Sequence, residues 1–139
     1  MGPLAEHVVN HPFLAAGFVA LLVAVVVFEV RARAHGKVQL KPADAVRLIN
    51  DGAFVIDVRS PDRFRQGHIV NARNIELGQV GPDHPTLKKQ KDKVLIAVCD
   101  NGLNSGRAAA QLRKAGFEKV FSLKGGLDGW RAENLPLVK

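Results

Sequence analysis

The chain has one cysteine, Cys99, within VCDNGLNSGRAAAQL from Val98 to Leu112. An apolar run, VLIAV (Val94 to Val98), leads into it, and Asp100, Asn101, Gly102, Leu103, Asn104 and Ser105 follow as a short loop before a helix-forming segment. Thiolate is the nucleophilic form of cysteine, and unpaired backbone N–H groups or cations at a helix N-terminus stabilise it. Gly102 lets a loop this short turn several N–H groups inward as an anion cradle. A persulfide, Cys99 bearing a second sulfur, is an anion suited to that cradle. Residues 100–105 are therefore candidate substrate-binding positions, with Arg107, in the first turn of the following helix, supplying positive charge from the side. Asp100 has the wrong sign unless its carboxylate points to solvent. Location alone leaves a second reading open: a small packed residue ending a strand.

From Val38 onward, short apolar runs alternate with amphipathic stretches, the signature of an α/β domain with a mostly parallel sheet flanked by helices. VQL reads as a short strand. KPADAVRLIN reads as a helix with Pro42 in its first turn and NDG as its stop. AFVIDV is a buried strand, and SPDRFRQG a short helix with Ser60 as N-cap, Pro61 first and Gly67 as its end. After a Gly/Pro/His-rich loop near Gly78 to Pro85 comes the most apolar strand, Val94 to Val98. SGRAAAQLRKAG is a helix capped by Asn104 or Ser105 and stopped at Gly116; KVFSL is a further strand, and a short helix lies between Gly126 and Pro136. Ligands bind at the carboxyl ends of strands in open parallel sheets, and Cys99 sits at that edge.

The formal charge of +7 raises a nucleic-acid reading, but the basic residues are scattered. Few aromatics accompany the densest cluster, KKQKDK from Lys88 to Lys93, so a solvated charged loop is the expectation and no nucleic-acid partner is assigned. A lone cysteine makes no intramolecular disulfide and fits reducing surroundings. No metal site is expected: only His7 and His11 share ligand-like helical spacing, at a solvated end.

Between Pro12 and Glu29 run sixteen residues, FLAAGFVALLVAVVVF, without a charge. Extended to Val8 and Val30, twenty-three residues make roughly 34 Å of helix, enough for a hydrocarbon core of roughly 30 Å. Residues 1–35 are thus expected to be a single-pass anchor (helix about 8–30) with a basic linker, and residues 36–139 the domain. The ARA at Ala32 to Ala34 resembles a cleavage site, but no Lys or Arg precedes the apolar run, whereas Arg31, Arg33, Lys37 and Lys41 follow it. That asymmetry predicts an inner-membrane location with the N-terminus outside and the domain cytoplasmic.

Three separated segments make the region from about Val38 to Lys139 resemble a single-domain rhodanese, of the sulfurtransferase family. VIDVRSPDRFRQGHIVNARNI resembles the family's first signature, VCDNGLNS its active-site loop and LKGGLDGW its C-terminal signature. The resemblance implies a rhodanese-like α/β fold and a cycle in which Cys99 takes sulfane sulfur from a small donor such as thiosulfate and passes it to a thiol or protein acceptor. It implies no cofactor. Asp57, Arg59 and His68 match signature positions read as structural, and Trp130 is read as core packing. Many family members carry Arg five residues after the cysteine; here Asn104 offers dipoles without charge. The cysteine-x5-arginine loop of related phosphatases would need Arg at position 105, where Ser105 stands. The alternative function, from a different class, is a catalytically weak docking module for a membrane protein.

Overall fold

Proline divides the N-terminal stretch into two helices in the computed structural model, which describes residues 2–36 and 38–139. Helix α1 runs Pro3–Asn10 and α2 Pro12–Gly36, so the apolar helix begins at Pro12 and not near residue 8. Pro12 lacks an N–H and disfavours helical geometry in the residue before it. His11 accordingly sits at φ −131°, ψ 65°. Within α2, Pro12–Arg33 is long and apolar enough to cross a membrane. Phe13, Phe18, Leu21, Val25 and Phe28 are all exposed, so its apolar surface is not confined to one stripe. Glu29, the acidic residue at its far end, pairs with Arg33 one turn on at 3.2 Å.

Residues 38–139 form a second unit. Its strands are β1 (Gln39–Leu40), β2 (Phe54–Asp57), β3 (Arg73–Asn74), β4 (Leu95–Val98) and β5 (Val120–Leu123), all parallel in the order β1-β5-β4-β2-β3. Helices α3 (Pro42–Asn50), α4 (Pro61–Arg65), α5 (Pro85–Lys88), α6 (Leu103–Lys114) and α7 (Gly126–Ala132) connect or follow them.

A strand covered on both faces needs apolar residues at every position, and all four of β4 are buried. Leu95 and Ala97 face Ala108, Ala109 and Leu112 of α6, with Leu87 and Phe117. Ile96 and Val98 face Ala45 of α3 and Leu127 and Trp130 of α7. Trp130 packs in this second layer as its signature position implied, and its indole N–H donates to the Pro136 carbonyl at 3.0 Å.

The start of α6 departs from the expectation. Helix α6 starts at Leu103 with Gly102 as N-cap, so Asn104 and Ser105 lie inside its first turn and Arg107 falls in the second. Gly102 takes φ 95°, a left-handed conformation that glycine reaches without a Cβ clash, and this lets the helix begin two residues early. Strand β3, which lacks an apolar run, has no counterpart among the sequence expectations. Asn74 holds it at the sheet edge, its Nδ2 donating to the carbonyls of Asp57 (3.1 Å) and Arg59 (2.9 Å).

Ile96 is fully buried at the sheet centre. Ile96→Ala is expected to cost about 2–5 kcal/mol by cavity formation, read as a lower urea midpoint at unchanged m-value.

Candidate functional site

Parallel pairing of β2 with β4 brings the carboxyl ends of both strands to one edge, so the segments after Asp57 and after Val98 open side by side. Cys99 is the first residue beyond β4 and only 3% exposed. The Gly102 N–H donates to its Sγ at 3.0 Å. The thiol lies 3.4 Å from Ser105 Oγ, whose own hydroxyl donates to the Gly102 carbonyl at 3.1 Å. Asn101 Oδ1 accepts from the Leu103 N–H at 3.0 Å and fixes the turn into α6. The loop is therefore wound around the sulfur.

Helix α7 holds this winding from behind. The carbonyls of Cys99 and Asp100 accept from the N–H groups of Leu127 (2.8 Å) and Asp128 (3.0 Å) in its first turn. This contact is close because position 126 is glycine at φ 59°: a Cβ there would overlap the Cys99 carbonyl oxygen and lie 2.7 Å from the Asn101 nitrogen. The LKGGLDGW segment thus acts as a backbone splint for the cysteine loop.

The opposite wall comes from β2. Arg59, with a side chain 4% exposed, forks onto Asp57 through Nε (2.9 Å) and Nη2 (2.7 Å), and Nη2 also donates to the Gly67 carbonyl at 2.8 Å. Burial alone would lower the guanidinium's pKa, but hydrogen bonding and attraction to Asp57, aided by Asp100, outweigh it and hold the pKa above its ordinary value. Arg59 stays charged. Its Nη1 lies 3.5 Å from Asp100 Oδ1, and Arg63 of α4 reaches Asp100 Oδ2 at 3.1 Å.

These groups enclose a cavity of about 250 Å³ lined by Val58, Arg59, Ser60, Arg63, Cys99, Asp100, Asn101 and Asn104. Gly102 and Ser105 touch the sulfur without lining it. Leu103 is 61% exposed, and Arg107 is exposed and outside the lining. The lining cations are instead Arg59, read from sequence as structural, and Arg63, which the sequence reading passed over. Its place in SPDRFRQG, just beyond the strand AFVIDV, was the available signal: a parallel neighbour of VLIAV ends at the same edge.

The chain has relatives among known proteins. Residues 41–133 match the family model described as Rhodanese-like domain. The chain is 39% identical to YibN of Escherichia coli (strain K12) over 141 residues, covering 100% of this chain and 99% of that protein. It is 38% identical to the thiosulfate sulfurtransferase GlpE of Ectopseudomonas mendocina over 96 residues, 68% of this chain and 84% of that one. Among solved structures, a rhodanese-related protein from Thermoplasma volcanium superposes with a TM-score of 0.63 at 27% identity, covering 72% of this chain and 96% of its own.

Gly126→Ala tests the splint. The overlap and positive φ are expected to cost about 2–4 kcal/mol, measured by thermal unfolding. Displacement of the loop should also speed the reaction of Cys99 with a neutral thiol reagent.

Proposed function

The chain belongs to the rhodanese-like domain family, and from that premise we propose that it is a membrane-anchored sulfurtransferase carrying sulfane sulfur on Cys99. The carrying observation is the Gly102 N–H aimed at Sγ from 3.0 Å, at the floor of a cavity with two arginines in its wall. An N–H donor favours sulfur in its anionic form, both as thiolate and as persulfide.

In the first half-reaction the Cys99 thiolate attacks the outer sulfur of the donor. With thiosulfate, the donor's S–S bond breaks, its electron pair leaves with sulfite, and Cys99 becomes a persulfide anion. In the second, a thiol or protein acceptor attacks the terminal sulfur of that persulfide, and the electron pair returns to Cys99 as thiolate. This is covalent catalysis in two displacements. Of the candidate binding positions, Asp100, Asn101 and Asn104 face the donor within the lining. Gly102 and Ser105 hold the sulfur. Leu103, exposed beside the loop, and Arg107, outside the lining, are left as contacts for a protein acceptor. Arg59 and Arg63 are the cations of the wall, where Asn104 brings none, and both are paired with carboxylates.

Helix α2 is assigned the anchor. Its length, its apolar surface and the basic residues Arg31, Arg33, Lys37 and Lys41 beyond it support a single inner-membrane pass with the domain in the cytoplasm.

Cys99→Ser is expected to abolish thiosulfate-to-cyanide transfer and to lose the mass increment of one sulfur atom that wild type gains with donor. If neither protein transfers sulfur or gains that mass, the docking-module reading takes its place. For the topology, a reporter active only in the periplasm, fused after Lys139, is expected to be silent. Activity there would reverse the orientation.

A further inference from the structure

We infer that Asp100 is the specificity-determining residue of the cavity: its carboxylate occupies the arginines in the wall, so that the site favours an uncharged hydropersulfide donor over a dianionic one such as thiosulfate. The inference rests on the sulfur-transfer reading above. Asp100 lines the cavity beside Cys99, its Oδ2 3.1 Å from Arg63 Nη2 and its Oδ1 3.5 Å from Arg59 Nη1. It is not free to swing out with its backbone, because the Asp100 carbonyl is tied to the Asp128 N–H at 3.0 Å.

Arg59 and Arg63 face Asp57 and Asp100, two against two, so the wall is neutral before the sulfur ionises. The nearby Asp62 and Asp128 pair with Arg65 and Arg131 on their own helices. A dianion entering beside a thiolate must therefore take Arg63 away from Asp100. That pair is half exposed, with side chains 57% and 35% accessible, so it can be broken, but only in competition with the donor. An uncharged hydropersulfide, R–S–S–H, needs no cation. The Cys99 thiolate attacks its outer sulfur, the S–S bond breaks, the electron pair leaves as R–S⁻, and the outer sulfur with its hydrogen remains on Cys99.

The test uses the full chain in detergent micelles at low ionic strength, as wild type, Asp100→Asn, Arg63→Gln and the double variant. Two ratios are read: alkylation of Cys99 by anionic iodoacetate against neutral iodoacetamide, and kcat/KM for thiosulfate against a small alkyl hydropersulfide. Asp100→Asn is expected to raise both ratios about tenfold, the lower end of what focused charge contributes in a cleft. Arg63→Gln, on an exposed side chain, should move both the other way, and the double variant should lose the gain. Ratios unchanged by Asp100→Asn, or a gain that survives Arg63→Gln, would overturn the inference. The alkylation ratio needs no sulfur transfer. If it shifts as expected while neither donor reacts with any variant, the sulfur-transfer reading fails and Asp100 stands as the screen against anions.

Discussion

Burial of β4 on both faces is the constraint from which the site follows. Leu95 and Ala97 on one side and Ile96 and Val98 on the other leave the strand no solvent face, so helices must cover both. A polar or reactive residue has no place until the strand ends, and there Cys99 stands. The same packing holds α6 on one face and α7 on the other, and these two helices supply the loop's exit and its backing. Positioning of the sulfur is thus a by-product of apolar packing along four residues. The loop itself adds hydrogen bonds, short-range ones to the sulfur and two from the first turn of α7.

The Asp57–Arg59 pair plays a complementary part. Two charges taken out of water are costly unless each is well matched, and here the guanidinium forks onto one carboxylate and caps the Gly67 carbonyl as well. The pair cross-ties the end of β2 to the turn before Ile69, while Asn74 ties β3 to the same strand end through two carbonyls. Because the guanidinium's remaining edge faces Asp100, a structural ion pair also becomes one wall of the cavity. A family signature position read from sequence as mainly structural therefore has a second role by adjacency.

Most of the fold was legible in the sequence because its signals are local. Alternating apolar runs, Pro42 and Pro61 at helix starts, Ser60 as a cap and Gly116 as a stop each have a short-range cause. The departures arose where a tertiary contact decides. Edge strand β3 has no apolar run and exists through Asn74. Helix α6 begins at Leu103 because Gly102 takes φ 95° where a Cβ would lie 3.4 Å from the Leu123 carbonyl oxygen and the Gly125 nitrogen, a neighbourhood invisible to local pattern. At the site, Cys99 and its loop could be picked out by type and spacing, whereas Arg63 could not: it joins the cavity through the pairing of β2 with β4, thirty-odd residues of chain away.

Strand order carries a further consequence, one of timing. Strand β1, the first of the domain, pairs among the described residues with β5, the last, and β5 lies between it and β4. The splint behind the cysteine loop comes from Leu127 and Asp128, later still in the chain. During synthesis from the N-terminus the apolar helix emerges first, and the sheet cannot close until residues near the end are available. Contacts of such long sequence separation make closure a late, cooperative event. The Cys99 loop therefore gains its backing only once residues as late as Leu127 and Asp128 have been made, and a chain cut before them lacks it.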